Sequence, residues 1–149
     1  ALLQNEILND NFNTFSNVIL FSPILNYSKD SIIFSVKKAR DEVVSCEAIK
    51  RQGEVYTYEA NLNNPLVSPF YCDKKLFDKF PPFYIQCGDY ELFYPENLRF
   101  YEDLKLFGNK CELDVWKNMI HLFQLADEYL PESHLALETL SKYIKSRNE

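Results

Sequence analysis

Phe83-Tyr84-Ile85-Gln86-Cys87-Gly88, entered through Pro81-Pro82, is the stretch that decides the fold. Two adjacent prolines bar a helix from running through them. The near-continuous apolar run that follows has the length of a strand and stops at a glycine. Such runs suit strands buried on both faces, as in a parallel sheet. Downstream, Pro95 sits where a first helical turn tolerates it. Leu98, Tyr101, Leu104 and Lys105 follow at helical spacing, and Gly108 is a natural stop. Cys111, Leu113 and Val115 then alternate with Glu112, Asp114 and Trp116, which predicts a strand at or near a sheet edge. A loop carries His121, and a last helix is expected from about Glu132, with Leu135, Ala136, Leu140, Tyr143 and Ile144 inward.

Upstream of the double proline, Val18-Ile19-Leu20-Phe21 is a second unbroken apolar run, ended by Ser22-Pro23. A helix from about Asp41 would carry Val43, Val44, Ala48 and Ile49 on one face. Residues 61–69 read as irregular chain, and residues 73–80 as a short helix with Leu76, Phe77 and Phe80 inward. Residues 9–17 read as an Asn-rich loop, and residues 1–8 as a short helix. The order is helix, strand, long insert, strand, helix, strand, helix. Alternation of this kind predicts an α/β fold, a mostly parallel sheet flanked by helices and joined by right-handed crossovers. Working residues in such sheets gather at the C-terminal ends of strands. Those ends are Ser22-Pro23, the segment Gly88 to Glu91, and the segment Asn118 to His121.

Composition narrows the chemistry. A length of 149 residues suits one domain, and 46% apolar with 26% charged residues reads as globular. A net charge of -6 argues against nucleic acid as partner. No apolar run approaches a membrane span, and Ala1 opens no signal-peptide pattern. Gly53, Gly88 and Gly108 are the only glycines, so the chain holds neither a glycine-rich phosphate loop nor a G-x-S-x-G elbow. Cys46, Cys72, Cys87 and Cys111 show no C-x-x-C spacing and lie away from His121 and His134, which argues against a metal site. Buried free thiols in a reducing compartment are the expectation.

Two strand-end loops carry a carboxylate and an imidazole: Gly88-Asp89-Tyr90-Glu91-Leu92 and Asn118-Met119-Ile120-His121-Leu122-Phe123. If their strands are neighbours, an acid can bond one ring nitrogen while the other takes a proton from a nucleophile. Taken alone, the pair is a weak signal and reads first as a loop histidine beside an incidental acid. Ser22 and Ser68 precede prolines and read as turn residues, Cys87 as an inert strand thiol, and His134 as a surface or packing residue.

The segment from Asn64 to Phe123 resembles the C-terminal part of the hormone-sensitive-lipase-like branch of the α/β-hydrolase family. The matching pieces are Asn64-Pro65-Leu66-Val67-Ser68-Pro69, Phe80-Pro81-Pro82, Gly88 to Phe93, Leu104 to Gly108, and Val115 to Gln124. Ile19-Leu20-Phe21-Ser22-Pro23 looks like that branch's strand after the nucleophile helix. The resemblance implies residues 1–149 are the C-terminal portion of one α/β-hydrolase domain. It implies a carboxylic-ester hydrolase of esterase or lipase type, without a cofactor, acting on a small-molecule or lipid ester. By position, His121 resembles the triad histidine. Glu91 best matches the acid, with Asp89 as runner-up; with an extended chain there, both would point to one side. Tyr90, Phe93 and Phe123, and Tyr94 with them, are expected to line a substrate pocket. Asn118 stands where the family usually has Gly, and Asn tolerates positive φ. The nucleophile elbow and oxyanion loop would precede Ala1, so the chain alone is expected to be inactive. A hydrolase-fold binding module without catalysis is the alternative. A free-standing small α/β domain would leave its apolar strands too little covered.

Overall fold

The computed structural model describes residue 9, residues 15–35 and residues 41–148. The helix expected over residues 1–8 lies outside them. Three strands form one sheet: β1 (Val18–Phe21), β2 (Phe83–Gly88) and β3 (Glu112–Trp116), in the order β1-β2-β3. Both pairings are parallel, with Leu20 opposite Ile85 and Ile85 opposite Leu113. The long connections between them meet the need of parallel neighbours for a crossover. Every residue of β2 is buried, as its apolar run predicts for a central strand. β1 departs from that expectation. It pairs with β2 alone among the described residues, and Ile19 is 36% exposed because no second neighbour covers it. Among the described residues β3 also pairs with β2 alone, at the edge of this sheet as its alternation predicts.

The helix expected from Asp41 begins later, as α1 (Cys46–Tyr56). Before it, Asp41 Oδ1 accepts from the backbone N–H groups of Val43 and Val44, at 3.1 and 3.3 Å, in a cap-like turn that no helix follows. Ser45 is the true N-cap, its Oγ accepting from Ala48 N at 3.2 Å. The short helix before β2 is a 3-10 turn, Lys74–Lys79, that buries Phe77. Phe77 packs with Phe83, Ile85, Phe100 and Leu104 in the main core on one side of the sheet. A smaller cluster of Ile33, Ile49, Leu92 and Phe93 lies beneath the strand ends.

Helix α2 (Tyr94–Leu106) starts with Pro95 in its first turn and stops at Gly108, whose φ is +88°. Its buried stripe is Glu96, Asn97, Phe100 and Leu104. Of the four residues read at helical spacing, Leu104 alone is fully buried, and Lys105 is exposed. The displacement has a cause. Glu96 Oε1 accepts from Asn26 Nδ2 (3.0 Å), Ser31 Oγ (2.7 Å) and Ile32 N (3.3 Å), so a carboxylate occupies the inner face and ties the segment after β1 to α2. Helix α3 (Pro131–Asn148) faces inward with Ser133, Ala136 and Tyr143, while Leu135 and Ile144 lie on the exposed side. The Tyr143 ring packs on Tyr84 of β2 at 4.6 Å. The four cysteines are free thiols; Cys87 and Cys111 are buried, whereas Cys46 and Cys72 are half-buried. No described helix is long and apolar enough to cross a membrane.

Candidate active site

Three chain segments leave the C-terminal ends of β1, β2 and β3 side by side. Gly88 lets two of them touch. A Cβ built there would stand 2.0 Å from the carbonyl oxygen of Met119, so no other residue fits against the β3 loop. The contact is reinforced by Tyr90 N donating to that same oxygen at 3.2 Å. The parallel pairing of β2 with β3 and this glycine therefore place the Asp89–Glu91 turn against the loop that holds His121.

Within the turn, the two acids diverge. The chain is not extended from Asp89 to Glu91; Glu91 N folds back to Gly88 O at 3.4 Å. Asp89 Oδ1 accepts from Asn118 N at 2.5 Å and braces the β3 turn from the outside. Glu91 points inward and is 2% exposed. Its Oε1 accepts from Ser22 Oγ and from Gly88 N, both at 2.6 Å. Its Oε2 faces His121 Nδ1 at 3.7 Å, and neither of those two atoms has a hydrogen-bond partner among the described residues.

The histidine loop is held in unusual backbone geometry. Ser22, Asn118 and Leu122 are the non-glycine residues with positive φ among those described, at 45°, 61° and 55°. All three lie at strand ends around the acid–imidazole pair. Such conformations cost energy and persist where the surroundings over-determine them. Asn118 meets its turn as its type predicts; the positive φ of Leu122 has no signal in the sequence.

The His121 side chain is 10% exposed, with the edge of Phe93 against its ring at 5.1 Å. It opens on a cleft of about 690 Å³ whose walls combine Ile24, Val44, Ile49 and Val55 with the polar side chains of Glu47, Arg51 and Gln52. Phe93 is fully enclosed and braces the imidazole instead of lining this cleft. Phe123 is buried against Trp116 at 5.9 Å, and Tyr90 and Tyr94 are half-buried in the turn, outside the cleft walls. The apolar wall comes from α1 and its approach. These residues carried no signal of a site, because their role depends on the long insert folding back over the strand ends.

Elsewhere the nucleophile candidates are poor. Cys87 is buried in β2, and burial pushes its thiol well above the usual range, so little thiolate forms. His134 is a surface residue on α3, with Asp127 at 2.9 Å and Glu138 at 3.5 Å. No group of three metal-binding side chains occurs among the described residues.

Residues 2–125 match the family model described as the alpha/beta hydrolase fold. The chain belongs to this family. An esterase of Acinetobacter venetianus is 27% identical over 132 residues, covering 88% of this chain and 43% of that protein. An acetyl-hydrolase of Streptomyces hygroscopicus is 22% identical over 128 residues, covering 86% and 42%. In fold, the chain is similar to an esterase from the bacterial hormone-sensitive lipase family, with a TM-score of 0.85, 22% identity and coverage of 97% and 48%. The chain thus spans less than half the length of these relatives.

Proposed function

We propose that the whole protein is a carboxylic-ester hydrolase in which His121 is the general base and Glu91 the acid that orients it. One observation carries this reading: Glu91 is anchored through Oε1 and presents its free Oε2 to His121 Nδ1 at 3.7 Å. Catalytic hydrogen bonds are often long before substrate arrives and tighten in the complex. Asp89, occupied by the Asn118 turn, serves the loop.

In this reading a serine supplied by sequence outside the chain attacks the ester carbonyl. His121 Nε2 takes the serine proton, and backbone N–H groups beside that serine hold the developing oxyanion. The imidazolium then gives the proton to the leaving alcohol. Water, activated by the same imidazole, later releases the acid and restores the serine. Glu91 holds the ring in one tautomer and stabilises its charged form. The apolar part of the cleft wall, Ile24, Val44 and Ile49, suits the hydrocarbon part of an ester. The esterase and acetyl-hydrolase among the relatives are in keeping with this chemistry.

The test is p-nitrophenyl acetate hydrolysis by the full-length protein and its His121→Ala variant. A loss on the order of 10⁴-fold is expected. Near-wild-type turnover by the variant would sink the assignment of His121, whereas no turnover by the wild-type full-length protein would leave a binding module in place of an enzyme. The 149-residue chain alone is expected to take no label from a fluorophosphonate probe.

A further inference from the structure

We propose that Ser22 is a positioning residue whose single hydroxyl locks the acid and the histidine loop together. This role rests on the Glu91–His121 reading above. Ser22 Oγ lies 2.6 Å from Glu91 Oε1 and 3.1 Å from Leu122 N. Both bond directions are forced. An ionised carboxylate can only accept, so the hydroxyl proton goes to Glu91; a backbone N–H can only donate, so Leu122 uses a hydroxyl lone pair. One oxygen therefore connects the acid to the residue that follows His121.

The consequence is orientational. With donors from both Ser22 and Gly88 on Oε1, the carboxylate cannot swing, and Oε2 is left aimed at the imidazole. Ser22 is itself registered to the sheet, its N–H donating to Gln86 O at 2.9 Å one residue beyond the β1–β2 pairing. Three strand ends thus meet at one hydroxyl. Ser22 is 2% exposed, which leaves bulk water no access to replace it.

The backbone points the same way. At φ 45° a glycine would sit without the steric cost a Cβ carries, on the order of 1 kcal/mol. A residue serving the turn alone would do better as glycine. What glycine lacks is the hydroxyl.

Ser22→Gly in the full-length protein separates the two roles, since losing the Cβ relieves the turn while losing Oγ breaks both bonds. The expected result is an unfolding midpoint near wild type, KM little changed for p-nitrophenyl acetate, and kcat lowered on the order of 10²-fold, the cost of a small misalignment. In a Glu91→Gln background the same change should cost little more, because the two residues act as a unit. A Ser22→Gly protein with wild-type kcat, or losses that multiply in the double variant, would overturn the positioning role and leave the triad intact. Full turnover by Glu91→Gln alone would overturn the triad reading and this role with it.

Discussion

Glu91 Oε2 and His121 Nδ1 face each other across 3.7 Å, both buried and neither otherwise paired among the described residues. Asp89, two residues earlier, is turned outward onto the Asn118 N–H. This difference sets the first expectation. Glu91→Gln should lower ester turnover on the order of 10⁴-fold in the full-length protein. Asp89→Asn keeps an oxygen for the turn and should stay close to wild type. Steady-state kinetics of the two variants side by side checks the assignment, and the reverse pattern would move the acid to Asp89.

Gly88 offers a test of the loop junction. A methyl group there would lie 2.0 Å from Met119 O, a backbone atom of the β3 turn that cannot retreat without breaking its bond to Tyr90 N. Gly88→Ala should cost about 3 kcal/mol, the upper range for overpacking. A urea unfolding curve reads this directly, and an unchanged midpoint would contradict the close approach.

Glu96 predicts a pH effect on stability. Burial pushes its pKa above the ordinary value of 4.5, outweighing the hydrogen bonds from Ser31, Asn26 and Ile32 that pull it down. The folded state then holds this proton more tightly than the unfolded chain. Its contribution to stability therefore falls as pH rises from the unfolded value through the raised folded one. Glu96→Gln keeps an acceptor oxygen for the three donors and removes the charge. The variant should lose stability less than wild type between pH 4.5 and neutrality, as followed by thermal unfolding across that range. Parallel curves would show that Glu96 does not titrate differently on folding.

Asn109 closes the entry to β2. Its Nδ2 lies 2.9 Å from Phe77 O, 3.0 Å from Phe80 O and 3.2 Å from Pro81 O, and the residue is 6% exposed. Asn109→Ala leaves these carbonyls without that donor, at a cost of about 2 kcal/mol. A urea midpoint shift of that size is expected, with ester turnover of the folded variant retained, since Asn109 lies at the opposite end of β2 from the active-site turn.

How far the sequence carries differs from element to element. Phe83–Gly88 is legible because a strand buried on both faces must be apolar throughout, and Gly108 because a helix end at positive φ favours glycine. The inner face of α2 is not legible, because Glu96 and Asn97 are polar residues in buried positions. The start of α1 is misread for a local reason: Asp41 and Ser45 both make cap-type bonds to the backbone N–H groups that follow them, and only Ser45 is followed by a helix.

By itself, then, the sequence determined the alternation of strands and helices, the parallel sheet, and the two loops that carry an acid and an imidazole. These follow from local periodicity, proline and glycine. Only the tertiary structure decided which acid turns inward, that Ser22 joins it to the histidine loop, and that α1 walls the cleft. Ser22 and Leu122 are 100 residues apart in the chain, and their contact exists only because β1 and β3 run parallel on either side of β2. Hydrogen bonds across such separations leave no periodic trace, since their partners are chosen by strand order and register, not by neighbours in sequence.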